Sequence, residues 1–534
     1  AIPFFKRLIR YVLVPMGYNT VYLEFAGGMR FDSHPKISEA WLEGNKKADE
    51  GLWPPVPHGS MVAGGDLLEK SEVRDLIEFM KSYGLEVIPE VQSLGHVQYI
   101  TMAYPEIAET QEDKDDKKDI DLKKEDTPPS EFYHGSYCPS NDMSYKIIFD
   151  IIDEIVDVVE PERYVHMGHD EVYVIGTCPV CKKEDPAHLL ARHLNALHAH
   201  LAKKGLKMMI WADMLQNVTK YKTPAAIDMI PKDIVLLDFI WYFHTDKDIE
   251  DHLLSHGFEV IMGNMYSSHY PRFESRIRKG GMIGAEVSTW KRVDEYNLGF
   301  EGKIYDFLYS GNMLWSKDYK EDFRYSYDEI ITGFMPYIRE RLSAKGHPSL
   351  DEEARGVNIS LPKPDKNDIV PYELMEAIDG IMDTKYMQVA TLDNPITISI
   401  DDRFDSIKFY HTASKNAERI PWEDPIETGR YIISYEDGTK IIVPIEYGTN
   451  IYAWNKRANM PITKPYYRHQ GYVGTYFADP FIRANTRDGE DVSIFAYEWV
   501  NPHREKSITS IELVKSGDTD SFVILGAIKG YRLA

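Results

Sequence analysis

Short β-type runs alternate with helical patterns from the start of this chain to about residue 300, and nothing else in the sequence limits its fold so tightly. "NTVYLEF" (19–25) reads as a strand. "SEVRDLIEFMKSYG" (71–84) then sets Val73, Leu76, Ile77 and Met80 at helical spacing, with Gly84 as a stop. "LEVIPEV" is the next strand, followed by the helix "SYKIIFDIIDEIVDVV", the strand "RYVHMG" and a helix carrying Leu190, Leu194, Leu197 and Leu201. "KMMIWAD", "DIVLLDFIW", the helix "DKDIEDHLLSHG", "FEVIMGN" and "GMIGAEVSTW" complete the series. Such alternation joins parallel strands through crossover helices, so the fold class is α/β and the expected architecture a (β/α)8 TIM-type barrel. The series holds seven strands, and none precedes the helix-like "IPFFKRLIRYVLVPMG". A barrel of eight would therefore have its first strand upstream of Ala1, or be closed by another segment.

From about residue 390 the pattern changes to alternating runs such as "ITISIDD", "SIKFYHT", "RYIISYEDG", "TKIIVPIEYG", "VSIFAYEWV", "ITSIELV" and "SFVILGAI". These predict an antiparallel β-sandwich. The expected organisation is a catalytic barrel with trailing helices over 1–365, a linker over 366–389 and a sandwich over 390–534 whose role is packing against the barrel ahead of holding a glycan. The run "EDKDDKKDIDLKKED" (112–126) reads as a solvated insertion after "LEVIPEV".

A net charge of −24 excludes a polyanionic partner by simple repulsion, so neither nucleic acid nor an anionic membrane is expected, and a neutral substrate fits. No apolar run is long enough to span a bilayer, and the N-terminal stretch is not built like a signal peptide. The chain is expected to be cytoplasmic, or secreted with its signal removed.

In a barrel of this kind the chemistry lies where each apolar strand run stops. Those ends offer Arg30, then Glu90, Gln92 and His96, then His166, Asp170 and Glu171, then Trp211 and Asp213, then Trp241, Tyr266 and Trp290. A tryptophan alone is more often core than platform, but three ending nearby strands point to a stacking pocket for a sugar ring. Asp170 and Glu171 are adjacent carboxylates in "YVHMGHDEVY". Like charges that close hold one group protonated, which suits a proton donor beside an anion.

"VHMGHDEV" resembles the His-x-Gly-Gly-Asp-Glu motif of glycoside hydrolase family 20, the β-N-acetylhexosaminidases. "VIPEVQSLGHV", "YCPSND", "IWADML", "NMY" and "GAEVSTW" resemble further segments of that family in the right order, over about residues 5–300. The resemblance implies Glu171 as general acid/base, and Asp170 as the group that orients the substrate's own 2-acetamido nucleophile. It further implies Tyr266 on the acetamido oxygen, Trp211, Trp241 and Trp290 around the sugar, Arg30 on ring hydroxyls, and His96 beside the acid/base. His169 stands where the motif has its second glycine, "AGG" where the family has paired aspartates, Gln92 for an aspartate, and Arg292 near a usual glutamate. The expected function is a retaining glycosidase that removes β-linked N-acetylhexosamine from an oligosaccharide or glycoconjugate. The alternatives are a catalytically silent glycan-binding barrel and a metal-dependent barrel hydrolase.

The chemistry so read needs no cofactor. The chain's three cysteines include "CPVC" (178–181), whose spacing lets two thiolates bind one tetrahedral metal. Cys138, Cys178, Cys181 and His169 would form a structural zinc site, with His134 competing for the fourth position. Three free or partly oxidised thiols are the alternative.

Overall fold

A computed structural model describes residues 2–59, 63–110, 133–239, 247–263, 272–315, 330–364, 369–415, 425–455, 476–517 and 519–533. The charged run at 112–126, Trp241, Tyr266 and part of the expected linker lie outside them.

The crossover helices are specified at their ends as well as along their faces. In α1 (Ile2–Leu8), α2 (Pro35–Asp49) and α3 (Lys70–Ser82) the buried positions recur at helical spacing, as with Val73, Leu76, Ile77 and Met80 in α3. Glu69 and Glu72 close a reciprocal capping box at the start of α3. The single turn α4 (Gln98–Thr101) leads toward α5 (Asp142–Val159), where the Asn141 side chain accepts the Met143 N–H. Asp185 caps α6 (Pro186–Ala202) in the same way, with Pro186 in the first turn.

All seven expected strands form: β1 (Thr20–Glu24), β2 (Glu86–Ser93), β3 (Tyr164–Gly168), β4 (Lys207–Trp211), β5 (Val235–Asp238), β6 (Val260–Met262) and β7 (Met282–Ala285). They pair in parallel in chain order, β1 to β7. The register sets Glu24 opposite Glu90 and Glu90 opposite His166, so three ionisable side chains share one level across three strands. Below that level Tyr22, Ile88 and Tyr164 join one apolar cluster with Met209 and Val235, which stand at the level itself on the next two strands. The period of two thus gives β1 to β3 an apolar floor and a polar C-terminal rim.

The described residues fall into two compact units, 1–294 and 295–534, so the division comes well before the 366–389 stretch expected as a linker. In the second unit β10 (Ile396–Asp402), β16 (Ile508–Lys515), β12 (Ile426–Tyr435) and β13 (Lys440–Tyr447) form one antiparallel sheet. A second sheet runs β14 (Ala478–Asn485), β15 (Asp491–Val500), β11 (Ser406–Ala413), β17 (Val523–Arg532) and β8 (Arg355–Ile359), with the short β9 (Gln388–Val389) also on β17. Ile398, Phe409, Tyr431, Ile433, Ile511 and Leu525 meet in one apolar cluster drawn from both sheets. β8 corrects the sequence reading of its segment as part of the trailing helices, since residues 355–359 pair antiparallel with 528–532. No helix among the described residues is long and apolar enough to cross a membrane.

Candidate active site

The loops that follow β2 and β3 are made of backbone conformations that side chains seldom adopt. Leu94, His96, His169 and Glu171 all have left-handed φ angles of 66°, 51°, 74° and 51°. Two glycines permit their close approach. A Cβ on Gly95 would lie 2.8 Å from the Asp170 carbonyl oxygen, and one on Gly168 would lie 2.1 Å from Gln92 Oε1. The left-handed φ of His169 also explains why a glycine suits that position, since only glycine adopts it without steric cost.

These turns bring His96 between the two carboxylates. Its Nε2 lies 3.3 Å from Asp170 Oδ2 and 3.4 Å from Glu171 Oε2, though neither contact is aligned as a hydrogen bond. Burial works against the imidazolium, but the charges of Asp170 and Glu171 outweigh it and hold the His96 pKa well above its ordinary value. Burial likewise opposes the Asp170 carboxylate, yet His96 and His58 bring its pKa down to about 2. Asp170 is therefore an anion at any working pH, and its Oδ1 is buried without a protein partner.

Two residues that the strand-end reading passed over extend this chain of groups. His58 lies against His96 with ring centroids 4.6 Å apart, and its Nδ1 is 2.6 Å from Glu24 Oε1 at the end of β1. Glu24 was legible as a carboxylate closing "NTVYLEF"; His58 lies between elements, where no motif marks it.

On the other side of the pair, Asp213 accepts the Glu171 backbone N–H at 2.9 Å. Burial first, and then the charge of Asp170, raise the Asp213 pKa well above its ordinary value. Burial and the neighbouring carboxylates of Asp213 and Glu171 raise the pKa of Tyr221, a residue absent from the sequence reading. Trp211 is buried and donates its Nε1–H to Glu90 at 2.8 Å, and its ring centroid lies 5.8 Å from that of Trp290. Burial, with Glu24 and Asp170 nearby, raises Glu90 well above the usual carboxylate range. His166 is fully buried and accepts the Gly168 N–H on Nδ1, which leaves its proton on Nε2, and that atom has no protein partner. Burial lowers its pKa to about 3.

Asp170, Glu171, His96, His166, Trp211, Asp213 and Trp290 thus occupy one end of the parallel sheet. Arg30 pairs with Glu69 through its Nε at 2.9 Å, and its side chain is half exposed. Arg292 pairs with Asp294.

The cysteines come together, but His169 is not with them. Its Nδ1–H is donated to the Met167 carbonyl oxygen at 2.8 Å and its ring packs on His193. The fourth group beside Cys138, Cys178 and Cys181 is Glu109, so both His169 and His134 are corrected as candidate fourth ligands.

Among curated proteins the chain is similar to a β-hexosaminidase of Porphyromonas gingivalis, 24% identical over 35% of this chain and 24% of that protein. It is also similar to hexosaminidase D of Bos taurus, 21% identical over 38% of this chain and 54% of that one. The chain therefore spans from about a quarter to about half the length of these curated relatives. Among solved structures, the β-N-acetylhexosaminidase of Bacteroides fragilis aligns with a TM-score of 0.45 at 16% identity, covering 62% of this chain and 67% of that one. A model of the glycosyl hydrolase family 20 catalytic domain matches residues 28–302, which include every group of the site except Glu24 and more than half of the sequence, so the chain belongs to glycosyl hydrolase family 20.

Proposed function

We propose that the protein is a retaining glycosidase that removes β-linked N-acetylhexosamine from an oligosaccharide or glycoconjugate by substrate-assisted catalysis, on a (β/α)8 barrel accompanied by a β-sandwich. The observation that carries this reading is the shared contact of Asp170 and Glu171 with one imidazole nitrogen, His96 Nε2. Two carboxylates that act from opposite faces of a sugar flank the scissile bond. These two come from neighbouring residues and converge on the same atom, so the nucleophile has to come from elsewhere.

The substrate's acetamido group fills that place. Glu171 gives its proton to the leaving oxygen while the acetamido carbonyl oxygen attacks the anomeric carbon. Asp170, anionic and with a buried unpartnered oxygen, accepts the acetamido N–H and stabilises the positive charge of the cyclic intermediate. Glu171 then takes a proton from water as it opens the ring, and two inversions return the β configuration. Trp211 and Trp290 supply flat apolar walls for the sugar, with Trp241 and Tyr266 in the roles the family resemblance implies.

A panel of aryl 2-acetamido-glycosides, with the matching plain glucoside and galactoside, tests the reading. Cleavage confined to the acetamido substrates, and tight inhibition by a thiazoline analogue of the cyclic intermediate, are expected. A second reading, metal-assisted hydrolysis, draws on the donor atoms of His96, Asp170 and Glu171 lying within 4.8 Å of one another. A metal-bound hydroxide would need no acetamido group, so equal cleavage of plain glycosides would favour it over the first.

A further inference from the structure

We propose that Cys138, Cys178, Cys181 and Glu109 hold a structural zinc ion that fastens the loop bearing the catalytic pair to the connection that follows β2. The inference is independent of which glycoside the site cleaves.

The donor atoms of all four side chains lie within 4.8 Å of one another, and all four residues are buried. Cys138 Sγ is 3.7 Å from Cys178 Sγ and 3.4 Å from Cys181 Sγ. A disulfide would bring two sulfurs to about 2.05 Å. Thiolates at about 2.3 Å from one tetrahedral zinc would instead stand roughly 3.8 Å apart, close to what is found. The Cys181 backbone N–H points to Cys178 Sγ at 3.3 Å, a donor that favours a thiolate over a thiol.

Glu109 is the independent observation. It is 2% exposed, and one oxygen is fixed by the backbone N–H groups of Thr177 and Cys178 at 2.8 and 3.0 Å. The other, Oε2, is buried with no protein partner. A carboxylate grouped with three sulfurs, with one oxygen tied and the other buried and orphaned, is costly unless a cation is held there. With three sulfurs and one carboxylate oxygen the set matches the preference of zinc for four mixed donors.

The four ligands come from two segments. Glu109 and Cys138 sit on a paired neck, in which Glu109 N–H reaches the Ser136 carbonyl at 2.9 Å and Cys138 N–H the Ile107 carbonyl at 2.8 Å. Cys178 and Cys181 end the loop that begins with Asp170 and Glu171. One ion would bind the two segments and so limit how far the catalytic loop can move.

Elemental analysis of the full chain, purified without a histidine tag and dialysed, provides the test. About one zinc per chain is expected, retained in His169→Ala and lost in Cys181→Ser. Glu109→Gln should weaken zinc at least about tenfold in competition with a chromogenic chelator. If the cysteine variant does not fold, cobalt(II) added to the metal-stripped wild-type chain reads the same site, through thiolate charge-transfer absorption and tetrahedral d–d bands. A chain without stoichiometric metal, an octahedral cobalt spectrum, or zinc kept by Cys181→Ser would overturn the proposal. Zinc lost in His169→Ala but kept in Glu109→Gln would overturn the ligand set.

Discussion

The rim of the parallel sheet and the interior between the two antiparallel sheets both bury histidine, yet they treat it in opposite ways. His411 on β11 is fully buried and satisfied on both nitrogens: Nε2–H is donated to the Asn450 carbonyl oxygen at 2.9 Å, and the Tyr431 hydroxyl is donated to Nδ1 at 2.8 Å. Around it the cluster is apolar and tightly stacked, with Phe409 on Tyr431 at 3.8 Å. At the rim, His96, His166, His169, Gln92, Asp170 and Asp213 each have a buried polar atom without a protein partner. A buried polar atom without a partner costs stability, so such a concentration is kept where a substrate completes the bonds. The difference separates His411, fixed within its sheets by two hydrogen bonds, from the group of histidines gathered beside Asp170 and Glu171.

Substitution should separate the two regions most sharply at Glu171. Glu171→Gln is expected to cut turnover of substrates with poor leaving groups by about 10²–10⁴-fold, and of activated aryl glycosides much less. Its melting temperature should stay near that of the parent. Equal losses on both substrate types would remove Glu171 from the role of acid.

Phe409→Ala attacks the other region, and should cost about 3–5 kcal/mol of stability by leaving a cavity against Tyr431. Denaturant unfolding gives that figure directly. A loss well under 1 kcal/mol would show that the sheet interior is less closely packed than the contact implies.

Acid sharpens the comparison further. Burial holds His411 at about 4 against an ordinary 6.5, so the unfolded chain takes up its proton first as pH falls. The stabilisation is complete above pH 6.5 and is lost as pH drops toward about 4, a change on the order of 3 kcal/mol. In His411→Leu the absolute stability is lower, but its slope against pH over that window should be shallower. An unchanged slope would mean His411 is not a titrating group of this transition.

The smallest effect is expected at His96, whose pKa is raised because the carboxylates outweigh burial. Its proton, and the stability it brings, are present below pH 6.5 and leave as pH rises through the raised value. Activity should therefore show an alkaline limb, and His96→Gln should lose that limb while keeping measurable turnover. A limb unchanged in the variant would assign it to another group.

Much of this arrangement was legible in the residues. The seven parallel strands are apolar runs of β-branched and long aliphatic side chains between helical segments, and they form where their pattern places them. β8 and β14 escaped notice because they are the two edges of their sheet. "RGVNI" is mostly exposed, and "ADPFIRAN" contains Pro480, so neither alternates as a buried strand does. The expected Cys3His cluster failed at its histidine for a local reason. His169 looked suitable because it neighbours Asp170, but its left-handed backbone aims Nδ1 at Met167. Glu109 carries no motif and is 29 residues before Cys138 in "CPSND".

The sequence by itself determined the kinds of element, their order, and the delivery of an Asp-Glu pair to the end of β3, because periodicity and capping act over neighbouring residues. Only the tertiary structure decided which distant groups face that pair. Parallel register set Glu24, Glu90 and His166 at one level, a loop brought His58 onto His96, and a paired neck carried Glu109 to the three sulfurs. Contacts between residues far apart in the chain follow from how strands align and loops close, and no local pattern encodes them.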